Sequence, residues 1–260
     1  MSAILPCAGG RCTFALAVQV KIHLMPILLA IETSSELASC ALLVNDTVAT
    51  RESSGVRTHS QSILPMVQEL LGENHLTLAD VDAIAFGAGP GSFTGVRTAC
   101  GIAQGLAFGA SLPVLPLITL DAMALACHER SGASEILVVL DARMGEVYWA
   151  QYRYAGGLQT IVAPALSAPE AVAPLPAAGL AACGNGMTAY RQAFADSPFL
   201  AGALTDILPH ARELVRLGAV ALAAGQAVDA ASAQPLYLRN KIAYTSAERA
   251  VINAAKAAQA

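Results

Sequence analysis

Two acids and one glycine-rich turn are the residues whose types and placing could do chemistry in this chain. Glu32 follows an apolar run, residues 27–31, and opens a polar turn; Asp141 follows the apolar run 136–140 in the same way. The two acids occupy equivalent places in the chain, 109 residues apart. Between them lies AFGAGPGSFTGVRTACG, residues 85–101, directly after an apolar run and directly before a helical one. Turns of this kind between a strand and a helix often hold phosphate, because N–H groups such as those of Ser92, Phe93 and Thr94 open the helix toward an anion.

Other chemistries find little support. The six cysteines (Cys7, Cys12, Cys40, Cys100, Cys127, Cys183) form no CxxC pair, and no two of the five histidines lie three to five residues apart. A structural or catalytic metal site, and hence a metal cofactor, is not expected. Scattered cysteines in strand and helix patterns behave as small apolar residues and point to a reducing, cytoplasmic compartment. The chain has neither a GxxxxGK[ST] phosphate loop nor a Gx[SC]xG nucleophile turn. A formal charge of −4 without a basic block argues against strong RNA binding by this chain alone. Residues 1–24 hold an apolar patch at 14–20, but Arg11, Lys21, His23 and Pro26 interrupt it, so neither a signal peptide nor a membrane span is indicated.

The elements that must position these groups follow from periodicity. Residues 27–31, 38–44 and 47–51 read as three strands joined by tight turns. Apolar positions 63, 64, 67, 70 and 71 give a helix over 60–71 that contains Pro65. A strand over 82–86 feeds the glycine-rich turn and a helix from about 94 to 108, followed by a strand over 112–117 and a helix capped by Thr119. Then the layout restarts: ILVVLDARMGEVYWAQY (136–152) repeats that of ILLAIETSSELASCALL (27–43). A short helix near 169–172, a Gly184-Asn185-Gly186 turn and a helix over 209–224 complete the pattern. The expected organisation is α/β: an extension over 1–24 outside the fold, a first lobe over 25–117, a reduced second lobe over 118–240, and an alanine-rich tail over 241–260.

A duplicated βββαβα unit with an acid at each first hairpin resembles the actin, Hsp70 and sugar-kinase superfamily. GAGPGSFTGVR, THSQSILPMV, LDARMGEVYWAQY and PLYLRN are similar, more closely, to the bacterial TsaB (YeaZ) family. The resemblance implies a fold whose hairpins once cradled nucleotide phosphates between lobes. Here that machinery is degenerate. The first loop reads Glu32-Thr33-Ser34-Ser35, with Ser34 in a glycine's place; the second reads Asp141-Ala142-Arg143, with Arg143 in a glycine's place. Only glycine reaches cheaply the conformations that aim successive N–H groups at a phosphate.

The resemblance further implies a non-catalytic scaffold subunit that binds a TsaD-like transferase, works with a TsaE-like ATPase, pairs with itself in the partner's absence, and meets tRNA only through the complex. Its product is threonylcarbamoyladenosine at position 37 of ANN-decoding tRNAs. The interface is expected on the first-lobe helices, at Ile63, Met66, Val67, Ser92, Arg97, Gly101, Ile102, Gly105 and Gly109. Gly101, Gly105 and Gly109 form one bare stripe of their helix, and Ala99, Ala103 and Ala107 another; either can meet the partner while the other meets the sheet. The alternative function is an active ATPase or phosphotransferase using Glu32 and Asp141.

Overall fold

The computed structural model describes residues 26–54 and 59–239. The expected extension over 1–24, Met25, Thr58, Asn240 and the tail over 241–260 lie outside the described residues. Strand β1 (Leu28–Glu32) is the middle of a five-stranded sheet. It pairs antiparallel with β2 (Ala38–Val44), which pairs antiparallel with β3 (Thr47–Ser53). Asn45 and Asp46, both at positive φ, make the two-residue turn between β2 and β3. Such turns carry the twist that a hairpin needs.

Helix α1 (His59–Glu73) leads to β4 (Ala83–Gly89), parallel to β1, and helix α2 (Phe93–Ala110) leads to β5 (Val114–Ile118), parallel to β4. One face of the sheet (Leu29, Ile31, Leu42, Ile84, Phe86) packs on α1 and α2. Pro65 lies inside α1, on its exposed side; the buried stripe is Ser62, Ile63, Met66, Val67, Leu70 and Leu71. Leu64, expected on that stripe, is 43% exposed.

Helix α3 (Thr119–Ser131) crosses to the second sheet, ordered β8-β7-β6-β9. Here β6 (Glu135–Arg143) and β7 (Glu146–Tyr154) form the second acid-tipped hairpin, β8 (Leu158–Ser167) continues the meander, and β9 (Ala181–Cys183) runs parallel to β6. Thr119 is the first residue of α3 rather than its cap, and Ile118 precedes it without a side-chain capping bond. Residues Leu120, Met123, Ala124 and Cys127 of α3 cover Ile136, Val138, Leu140, Ala150 and Tyr152. Met187, on the short helix α4 (Gly186–Ala189), and Phe194 cover the other face of this sheet. The segment 169–172 forms a single 3-10 turn, Pro169–Ala171.

The last helix, α5 (Ala211–Ala223), was expected with the second lobe. Its Ala211, Leu214, Val215 and Ala221 instead cover the second face of the first sheet, against Leu28, Ala30, Ala41, Leu43, Ala83, Ala85 and Leu115. With both faces buried, β1 and β4 read as continuous apolar runs. A Cβ on Gly218 would lie 3.1 Å from the Ala85 Cβ, so the absence of a side chain there sets the helix-to-sheet spacing. The molecule is thus a two-lobed mixed α/β fold of the actin/Hsp70 type.

Candidate functional site

The tips of the two acid-bearing hairpins face one another across a cavity of about 420 Å³. Ser34, Ser35 and Glu36 line it from the first lobe, Asp141, Arg143 and Met144 from the second, and Ser92 and Phe93 from the start of α2. The paired sequence layout therefore does bring its two halves together. What reaches the cavity differs from what the letters suggest.

Glu32 is fully buried and is not among the residues lining the cavity. Its Oε1 accepts the Ser34 N–H at 2.5 Å, and its other oxygen presses on Gly87, where a Cβ would fall far inside van der Waals contact. Burial pushes its carboxyl pKa up, only partly offset by hydrogen bonds from Ser34 and Thr33. Asp141 does line the cavity, but its oxygens are engaged: Oδ1 accepts from the Arg143 N–H at 2.8 Å and the Tyr190 hydroxyl at 3.0 Å, and Oδ2 lies 2.9 Å from Arg143 Nη1. Asn185, in the Gly184-Asn185-Gly186 turn, accepts the Asp141 N–H at 3.0 Å.

Arg143 and Met144 both sit at φ 61°, followed by Gly145 at 79°. The left-handed backbone expected of glycine is thus present with side chains on it. Arg143 reaches across the mouth of the cavity to Glu36 of the first lobe, with Nη2 to Oε2 at 3.2 Å. A second link between lobes is the segment after residue 232. The Leu236 N–H donates to the Ala88 carbonyl at 2.7 Å, and Arg239 donates to Glu146 at 2.5 Å and to the Arg143 carbonyl at 3.2 Å.

The glycine-rich stretch has two parts with different roles. Gly91 and Gly95 let the turn and the first turn of α2 press onto the Thr33-Ser34 backbone; a Cβ at Gly91 would lie 2.6 Å from the Ser34 Cβ. The Ser92 N–H, one of the three groups expected to face an anion, donates to the Ser34 carbonyl at 2.7 Å. The Thr33 hydroxyl donates to the Gly95 carbonyl at 2.7 Å. Part of the anion-binding capacity of this helix start is therefore occupied from within the chain.

Farther along α2, Ala99, Ala103 and Ala107 are buried on the sheet, whereas a Cβ on Gly101, Gly105 or Gly109 would meet nothing within 4 Å. The glycine stripe is the open one. Ser92 and Arg97 are exposed beside it, Ile102 is half-buried, and Phe108 is 82% exposed. Ile63, Met66 and Val67, expected at the interface, are instead buried in the core of the first lobe. Six of α1's residues form the stripe that must cover the sheet, and these three belong to it, leaving Leu64, Pro65 and Gln68 to face outward. Phe108 and Leu64 are exposed apolar side chains that the sequence reading did not single out for the outer face. Only their position opposite the buried stripes could have found them.

Among the described residues, no group of three or more His, Cys, Asp or Glu side chains could hold a metal ion, and no helix is long and apolar enough to cross a membrane. The four described cysteines are free and buried.

Fold and cleft place the chain among two-lobed actin/Hsp70-like proteins. A family model described as TsaD, tRNA N6-adenosine threonylcarbamoyltransferase, matches residues 44–260. The "tRNA threonylcarbamoyladenosine biosynthesis protein TsaB" of Escherichia coli is 38% identical over 224 residues, covering 84% of this chain and 96% of that protein. Its namesake in Haemophilus influenzae is 39% identical over 227 residues, covering 84% and 95%. A solved structure titled YeaZ from Pseudomonas aeruginosa superposes with a TM-score of 0.76 at 41% identity, over 82% of this chain and all of that one. The chain belongs to the TsaB (YeaZ) family.

Proposed function

We propose that this protein is a non-catalytic subunit in the biosynthesis of tRNA threonylcarbamoyladenosine, the pathway named for its relatives. It docks a TsaD-like transferase through the open face of α2, and acts with a TsaE-like ATPase in threonylcarbamoyl transfer to adenosine 37 of ANN-decoding tRNAs. In the partner's absence the same face pairs two copies of the chain. The protein works in the cytoplasm, and tRNA is met through the complex.

The observation that carries this reading is the glycine stripe Gly101, Gly105, Gly109, bare on the outside of a helix whose other side is packed. Glycine within a helix costs up to about 1 kcal/mol per position relative to alanine. Close approach of a second backbone offsets that cost. The ATPase or phosphotransferase reading is opposed by the sealed Glu32 carboxyl and by the ion pair already held by Asp141.

The test is reconstitution with the TsaD-like and TsaE-like proteins of the same organism. Size-exclusion chromatography should give a complex with the transferase. The isolated chain should not hydrolyse ATP, and Asp141→Asn should leave tRNA modification in cells near wild type. Loss of modification by Asp141→Asn, with fold and complex intact, would return the enzyme reading.

A further inference from the structure

Arg97 is the only charged residue of α2. It stands one helical turn before Gly101, on the same outward side of the helix, and it is exposed. Its guanidinium carbon lies 3.6 Å from the centroid of the Phe93 ring and 5.6 Å from that of Tyr237. Nε donates to the Tyr237 hydroxyl at 2.8 Å.

These contacts fix the plane of the guanidinium through one face and its inner nitrogen. Among the described residues, the two terminal nitrogens have no hydrogen-bond or ion-pair partner. Of the other described arginines, Arg51, Arg130, Arg143, Arg153, Arg216 and Arg239 each reach a carboxylate within the chain. Arg191 and Arg212 do not, but of the unpaired arginines only Arg97 is held against aromatic rings. Arg97 is therefore held in one orientation without a counter-charge, at the edge of the open glycine face.

We propose that Arg97 is the charged anchor of that face, and that the protein partner seated on α2 presents to it an aspartate or glutamate side chain, held by two parallel hydrogen bonds. The proposal rests on the docking reading above. A guanidinium stacked on an aromatic ring loses little further freedom on binding, and its outer fork matches a carboxylate. An RNA phosphate would fit the fork equally well, but RNA affinity comes from clustered positive charge. Here α2 carries no second basic residue and the chain as a whole has a formal charge of −4.

The experiment measures affinity of the purified TsaD-like subunit for wild type, Arg97→Ala, Arg97→Gln and Arg97→Lys by calorimetry at two salt concentrations, with thermal melts of each variant alone. Arg97→Ala and Arg97→Gln should bind about 30-fold or more weakly, the lower bound for truncating one partner of a hydrogen-bonded charge pair. Their melting temperatures should stay close to that of wild type. Arg97→Lys should recover only part of the loss, because an ammonium neither stacks nor forks. The salt dependence of wild-type binding should be steeper than that of Arg97→Ala.

Affinity of Arg97→Ala within threefold of wild type overturns the proposal, as does full recovery by lysine. So does an unchanged subunit affinity combined with weaker tRNA binding by the assembled complex, which would assign Arg97 to phosphate. If Gly105→Leu abolishes the complex while Arg97→Ala does not, the docking face stands and only the role of Arg97 falls. If wild type itself forms no complex, the underlying function fails.

Discussion

One substitution, glycine to alanine, should have opposite signs at two positions of the same motif. At Gly87 the new methyl group meets the buried Glu32 carboxylate, which is itself held by the Ser34 N–H and cannot swing away. Overpacking of this kind costs about 1–3 kcal/mol. At Gly105 the methyl group projects into open space, and the helix gains up to about 1 kcal/mol from alanine's propensity. Thermal melts should therefore show Gly87→Ala several degrees below wild type and Gly105→Ala at or above it. A fall at both would mean that the outer face of α2 is not free. A second residue-scale effect concerns Asp121, in the first turn of α3. Burial raises its pKa from 3.8 to about 6, with the Tyr152 hydroxyl pulling it down only in part. Between those values the folded state binds more protons than the unfolded state, so this group's contribution to stability falls as pH rises from about 4 to 6 and then stays level. At 1.36 kcal/mol per pKa unit the loss is about 3 kcal/mol. The Asp121→Asn variant has no such loss. Its stability relative to wild type should rise by up to about that amount between pH 4 and pH 7 in denaturant titrations, and a difference independent of pH would refute the assignment.

At the scale of elements, α2 decides between two stripes that the sequence leaves equivalent. Periodicity shows that Ala99, Ala103, Ala107 and Gly101, Gly105, Gly109 lie on different sides, because helical spacing alone fixes that. It cannot show which side meets the sheet, since both stripes are small and neither is polar. The structure places the alanines inward. Ala103→Leu should then fail on stability, forcing a side chain into a site with no free volume, while Gly105→Leu should fold and bind the transferase roughly ten- to a hundredfold more weakly. Melting curves and binding isotherms on both variants separate these outcomes. Normal folding and normal binding by both would remove α2 from the interface. The same ambiguity explains α1, where Leu64 and Met66 both fit an apolar stripe and the sheet takes Met66. The acids show the converse. Their equivalence was legible, as two apolar runs each ending in a carboxylate. The sealing of Glu32 was not, because it depends on Gly87, far away along the chain, approaching without a side chain.

At the scale of the whole molecule, the order of elements along the chain misleads. The strands and helices of the first lobe are contiguous in sequence, yet one face of their sheet, touched only by Ala122 of α3 before the second lobe, gains most of its cover from α5, which follows the second lobe in the chain. Amphipathicity announces that α5 must cover something, but not which of two sheets. Val114 and Val228 exchange backbone hydrogen bonds at 2.8 and 2.9 Å, and the segment after residue 232 then ties α2 to the second hairpin. The lobes should consequently not fold independently. A fragment spanning residues 25–118 would leave Leu28, Ala30, Ala41, Leu43, Ala83, Ala85 and Leu115 bare on one sheet face. A contiguous apolar face of that kind drives aggregation rather than cooperative folding. The fragment should be insoluble or lack a cooperative transition, whereas the same fragment extended through a flexible linker to residues 209–232 should regain one. In the full chain, calorimetry should give one transition whose van't Hoff and calorimetric enthalpies agree. Two resolved transitions, or a soluble and cooperatively melting fragment 25–118, would mean that α5 covers the first sheet without being needed to form it.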